Sequence, residues 1–146
     1  MTITFSAILF AFLILFQALQ KNVFFIFYAC SMVALAYGLE NYYGWHCSLF
    51  SKNCFLLFLL FHFPLINFFT FLAYGRDKHL AKNKEWRIPE VQLHTLELLG
   101  GTIGAICGQK FFHHKYKKKS YMATFFATIV IQLGIIYFIL KYLNFI

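Results

Sequence analysis

Apolar residues in this chain come in long unbroken runs rather than in the alternating or three-four patterns of water-facing strands and helices. Residues 3–20 hold no charge, and neither do residues 23–39; Lys21-Asn22 separates the two runs. A third run covers 54–74. A fourth covers 121–140, where Gln132 is the one strongly polar residue. Each is close to the roughly 20 residues that an α-helix needs to cross a hydrocarbon core of about 30 Å. The runs therefore predict spanning helices. The first has no basic residue before it and no small-x-small cleavage site after it, so it reads as a retained span and not as a signal peptide. The first two predict a tight helical hairpin, with the second helix ending near Gly38. Tyr42, Tyr43 and Trp45 in the 40–53 connection suit the headgroup level. Pro64 should kink the third run, and His62 beside it needs a polar partner, for which a carbonyl freed by the kink would serve.

The remaining segment, 91–112, is different. Ile88-Pro89-Glu90 predicts a helix start, with proline in the first turn and a carboxylate at the positive end of the helix dipole. The residues that follow are moderately apolar but include Gln92, His94, Glu97 and Gln109. The flanking loops, 75–90 and 110–119, each hold five Lys or Arg. A crossing helix between them would put one basic loop on the wrong face of the membrane. It would also place Glu97 deep in lipid and a Gly-Gly pair in mid-helix. A Gly-rich re-entrant or interfacial helical segment avoids both problems. The expected architecture is all-α and polytopic: four spanning helices plus that segment, with five spans as the alternative. Both basic loops and Lys21 would then face the cytoplasm, and the 40–53 loop and both termini the other side. Residues 1–146 form one membrane domain in this reading, with 1–39 an added hairpin on a core at 54–140.

Composition agrees. The 146 residues are 61% hydrophobic and 22% aromatic, with 12% charged against the roughly 25% of soluble domains. A soluble fold of this size cannot bury so much apolar surface. The net charge of +8 then reads first as a topology signal. The 21 Phe residues, beside many Lys and Asn, point to an AT-rich genome and carry no function.

Candidate chemistry gathers between Asn67 and Lys119, which hold ten of the 13 Lys and Arg, four of the five acids and four of the six His. Glu90, His94 and Glu97 share one helical face at i, i+4, i+7. They are the candidate catalytic residues, as an acid–base row or proton relay; the alternative is a polar seam pairing the two Glu with Arg87 or the lysines. Two carboxylates and one His are sparse for zinc, and there is no CxxC, so no metal and no cofactor are expected. Arg76, Asp77, Lys78, Arg87, His113, His114, Lys115 and Lys118 are the candidate ligand-binding residues. Clusters like this attract anionic lipids, and Asp77 could also pair with Arg87 to fix the loop. Nucleic acid is electrostatically compatible, but Tyr116 is the one aromatic within the lysine cluster, a poor stacking platform. Gly100, Gly104 and Gly108 are four apart and, with Gly101, offer a close helix-packing face, within the chain or to a second copy. The glycines lack the Lys-Ser/Thr ending of a phosphate loop. Cys47 and Cys54 could form a disulfide in an oxidising compartment, while Cys30 and Cys107 read as packing residues.

These residues carry a resemblance. Asn67-x-x-Thr70-Phe71, Tyr74-Gly75-x-Asp77-Lys78-x-x-Ala81, Trp86-Arg87-Ile88-Pro89-Glu90-x-x-Leu93-His94, Gly100-Gly101-x-x-Gly104-Ala105, Gln109 and His114-Lys115-x-x-Lys118 resemble domain-of-unknown-function family 1294, a family of small bacterial membrane proteins. The chain departs from that pattern at His113, Tyr116 and Thr102-Ile103. The resemblance implies a bacterial inner membrane and no particular activity. Some members of the family carry a fused cold-shock domain, which this sequence lacks. Three functions follow as expectations: a non-enzymatic module binding an anionic partner at a basic cytoplasmic face; a membrane-embedded enzyme acting on a lipid or phosphate ester; and an oligomeric channel or transporter with Glu97 and Gln109 lining a path.

Overall fold

The computed structural model describes residues 22–43, 52–113 and 118–142. All their regular elements are helical: α1 (Val23–Tyr43), α2 (Lys52–Lys82), α3 (Glu90–Leu96), a wide π-type turn at Glu97–Gly101, α4 (Thr102–Phe112) and α5 (Lys119–Tyr142). The chain divides into two compact units between Leu65 and Ile66, inside α2 and just after Pro64. Three stretches are long and apolar enough to cross a membrane: Val23–Tyr42, Leu56–Lys82 and Lys119–Phe138. The run at 3–20, expected as a further span, lies outside the described residues.

Gly38 does not end its helix, and the third run does not end at the loop expected from Gly75. Gly38 sits inside α1, and α2 continues through Gly75 as far as Lys82. Neither adopts the left-handed conformation that makes glycine a helix stop, and Gly75 instead takes the Phe112 ring against its bare Cα. The hydrophilic stretch expected as a loop at 75–90 thus shrinks to 83–89. Lys84 turns the chain at φ 57, with the Asn83 amide donating to the His79 carbonyl at 3.1 Å. Pro89, at φ −56 and ψ 137, then sets up α3, as Ile88-Pro89-Glu90 predicts.

Segment 90–112 is not one helix. Its halves, 7 and 11 residues, reach only about 10 and 17 Å, each short of a bilayer crossing. Both lie along α2, and their contacts give the path. The Ile88 amide donates to Asp77 Oδ1 at 3.0 Å, the Tyr74 hydroxyl to Glu97 Oε1, and the Asn67 amide to the Gly100 carbonyl at 3.0 Å. Beyond the turn, the Gly104 amide donates to Asn67 Oδ1 at 2.7 Å, Gly108 faces Tyr74, and Gly75 faces Phe112. From 88 to 100 the chain therefore descends α2 from residue 77 to residue 67. From 104 to 112 it climbs back to residue 75. Those ten residues of α2 (77 − 67 = 10) correspond to about 15 Å, half a hydrocarbon core. Helix α5 descends again beside α3, joined by Lys118 to Glu90, Tyr121 to Glu97 and Gln132 to Thr102. The 83–89 loop, His113 at the end of α4 and Lys118 at the start of α5 consequently share one end of this unit.

Ile66, Ala73, Leu93, Leu96 and Ala105 are fully buried in this second unit, while Val130, Leu133 and Phe138 on α5 stand outward. An outward apolar surface of this kind suits lipid contact. Two cysteines read as packing residues, Cys30 and Cys107, are exposed and not buried. The proposed partner of Cys54, Cys47, lies outside the described residues.

Candidate functional site

The break at Gly100 has a chemical consequence one turn earlier. Glu97 is sealed from solvent at 0% exposure, where a carboxylate needs several partners. Oε1 accepts from the Tyr74 hydroxyl and, at 2.8 Å, from the Tyr121 hydroxyl. Oε2 shares a 2.6 Å hydrogen bond with His94 Nδ1. The two tyrosine oxygens are themselves 2.5 Å apart, and Gln109 Nε2 donates to Tyr74 at 3.2 Å. Three oxygens at mutual hydrogen-bonding distance thus share two hydroxyl protons, and a proton on Glu97 would complete the ring. The His94 ring stacks on Tyr121 with centroids 4.2 Å apart. Its side chain is 15% exposed, so it forms the wet edge of an otherwise dry cluster.

The backbone explains why the cluster sits here. Gly100, at φ 113 and ψ 2, takes a conformation that side-chain-bearing residues rarely adopt. The turn frees the Glu97 carbonyl, which accepts from Gln132 Nε2 and, at 3.4 Å, from Thr102 Oγ1. Among the described residues, no buried side-chain nitrogen or oxygen lacks a hydrogen-bond partner. The glycine face also differs from the expected one. Because the helix breaks, Gly100 serves the turn, while Gly101, Gly104 and Gly108 let Thr70, Asn67 and Tyr74 approach. Of the two uses open to that face, packing within the chain or to a second copy, Gly101, Gly104 and Gly108 show the first, against the chain's own α2.

The expected acid–His–acid row separates into two pairs. Glu90 accepts from Lys118 Nζ at 2.8 and 3.0 Å, an exposed ion pair at the loop end. His94 and Glu97 form the inner pair. Glu97 and Gln109, expected to line a path, are instead buried and joined through Tyr74. Asp77 is fully buried and accepts the Ile88 amide, with Arg87 Nη2 at 3.5 Å and half-exposed. It ties the 83–89 loop to α2. Arg76 is exposed and Lys78 half-buried on the same last turns of α2. His113 ends α4 in the left-handed conformation, at φ 49. His114 and Lys115 lie outside the described residues.

Sequence reasoning missed most of the cluster. Tyr121 and Gln132 went unassigned, although Gln132 is the one strongly polar residue of an apolar run, the kind of position that needs a partner inside a membrane. Tyr74 stands among the resembling residues without a role, and Gln109 enters only as a residue lining a path with Glu97. In the first unit, His62 Nδ1 meets the Tyr28 hydroxyl at 2.5 Å, a side chain where a freed carbonyl was expected.

The matches to known proteins fall on this same stretch. Residues 67–121 match the family described as "Protein of unknown function (DUF1294)". The matched stretch begins at Asn67, which spans the break, and ends at Tyr121, which holds Glu97. The uncharacterized protein YsdA of Bacillus subtilis (strain 168) is 37% identical over 57 residues, covering 39% of this chain and 64% of that relative. The similarity thus spans less than two thirds of YsdA. No solved structure matches the chain.

Proposed function

We propose that this protein is a non-enzymatic, multi-pass module of a bacterial inner membrane that holds an anionic, phosphate-bearing partner at a basic cytoplasmic face. The observation that carries the reading is the register of 88–112 on α2, which returns the chain to the level at which it started. In a bilayer that path is a re-entrant hairpin reaching about half depth. The 83–89 loop, His113 and Lys118 then meet the same aqueous phase, and by the positive-inside rule that phase is the cytoplasm. Arg76, Lys78, Arg87 and Lys118 present their charge there, with His113 at the end of α4.

The test has two arms. Single cysteines at Lys84 and Lys119, in a chain otherwise free of cysteine, should react with a membrane-impermeant maleimide from the same face. Protein purified in nonionic detergent at low salt should retain phosphatidylglycerol over phosphatidylcholine, less so with Arg87→Ala and Lys118→Ala. Labelling from opposite faces removes the hairpin reading. Equal retention of both lipids removes the anionic partner.

One observation favours a second reading, an enzyme acting on a lipid or phosphate ester. Glu97 engages His94 Nδ1, which leaves Nε2 as the nitrogen able to exchange a substrate proton. Loss of a cellular phenotype in His94→Ala with folding intact would raise that reading above the first.

A further inference from the structure

Helices α4 and α5 leave a groove of about 650 Å³ between them. Its polarity runs lengthwise. Lys110 and His113 stand at one end, and Ile106, Phe125, Phe126 and Ile129 line the rest. Seven residues of α4 separate His113 from Ile106 (113 − 106 = 7), about 10 Å along the axis. Helix α4 climbs toward the basic loops and α5 descends from them, so the cationic end is also the loop end. The apolar end lies deeper. Gln109, on the same lining, has its amide engaged by Tyr74.

We propose that this groove seats one glycerophospholipid with an anionic headgroup, its phosphate at Lys110 and His113 and an acyl chain along Ile106, Phe125, Phe126 and Ile129. The inference rests on the basic-face reading and adds which molecule the face holds. Charge complementarity selects the occupant: a cationic end above a hydrocarbon channel matches an anionic amphiphile in the orientation that a bilayer imposes. A free phosphate would leave the apolar length uncovered. A partner helix would find only about two turns of groove and a cation where its apolar anchors continue.

Native mass spectrometry of the full chain, from micelles loaded with equal phosphatidylglycerol and phosphatidylcholine of identical chains, tests this. The unaltered protein should keep one phosphatidylglycerol. Lys110→Gln, an exposed change that removes one charge, should cut the preference about fivefold, the factor for one lysine near an anionic surface. Ile106→Trp with Ile129→Trp should fill the groove and displace the lipid while the protein stays monodisperse. Leu133→Trp, on the outward face of α5 and outside the groove lining, should keep the lipid, a control for the added tryptophan bulk. If the filled variant keeps phosphatidylglycerol as before while Lys118→Ala loses it, the groove is wrong and the basic face stands. If no form distinguishes the two lipids, both readings fall. Crosslinking of Ile129→Cys to residues 1–65, with no lipid retained, shows the groove to be filled by the chain itself and overturns the proposal.

Discussion

Asn67 and Gly100 face each other across the break that shapes the second unit. The Asn67 amide donates to the Gly100 carbonyl at 3.0 Å, and its oxygen accepts the Gly104 amide at 2.7 Å. One side chain therefore satisfies a backbone group on each side of a turn where helical hydrogen bonding stops. Asn67→Ala leaves both groups without that partner. The expected cost is about 1–3 kcal/mol for each backbone group left unsatisfied, read as a lower unfolding temperature in detergent. Faster amide exchange confined to residues near 97–104 should accompany it. A wild-type unfolding temperature would show that the break does not depend on Asn67.

The glycines should rank by what an added methyl would strike. At Gly104 a Cβ would run into the Asn67 backbone, which cannot yield. At Gly108 it would meet Tyr74 Cβ at 2.8 Å, a contact a small helix shift can relieve. At Gly100 the obstacle is φ 113 itself, worth about 1–2 kcal/mol for an L-residue in left-handed backbone. Alanine at Gly104 is thus expected to be the most damaging of the three. Gly38→Ala and Gly134→Ala, which meet nothing within 4 Å, should be neutral or slightly stabilising. Folded yield and unfolding temperature of the five variants give the order directly.

Much of the second unit was legible because membrane constraints are coarse. Run lengths gave the candidate spans, and the five-against-five balance of basic residues argued that 91–112 should return rather than cross. Asp77 with Arg87 was readable from their charges. The Glu97 cluster was not, because its members come from three distant segments: Tyr74, the region 94–109, and Tyr121 with Gln132. Periodicity reports one helix at a time. It placed Glu90, His94 and Glu97 on a shared face but could not show that Lys118 takes the first and the two tyrosines the last. Nor could spacing show that Gly100 breaks the helix, since i, i+4, i+8 glycines look the same in a straight one.

Asp77 offers a cleaner test of how the basic loop is held. Its Oδ1 accepts the Ile88 amide at 3.0 Å, while its pairing with Arg87 is long, 3.5 Å, and half in solvent. Asp77→Asn keeps an acceptor for the amide and loses only the charge. Asp77→Ala loses both and leaves the Ile88 amide unpaired, at about 1–3 kcal/mol. Limited proteolysis between Asn83 and Pro89 should be slow in wild type and in Asp77→Asn, and fast in Asp77→Ala. Equal rates in all three would mean that Asp77 does not anchor the loop.

Gln132 and Glu97 give the last prediction, because the cluster separates a side-chain role from a backbone one. Gln132→Leu removes the donor to the Glu97 carbonyl but leaves the Glu97 carboxylate with Tyr74, Tyr121 and His94. Glu97→Gln does the reverse. Its remaining oxygen can still accept both hydroxyls, and its new amide must donate where Oε2 stood, so His94 Nδ1 becomes an acceptor and the ring proton moves to Nε2. Glu97→Ala leaves two buried hydroxyls facing a void. The alanine variant should lose about 3–5 kcal/mol, the range for a buried pair stripped of one member, and the Gln variant much less. Nitrogen-15 spectra of His94 should show the proton on Nδ1 in wild type and on Nε2 in Glu97→Gln. An unchanged tautomer would mean that Nδ1 already accepts a proton from Glu97. The carboxyl would then be the acid of the pair, and an Nδ1–H could not be what poises Nε2 for chemistry.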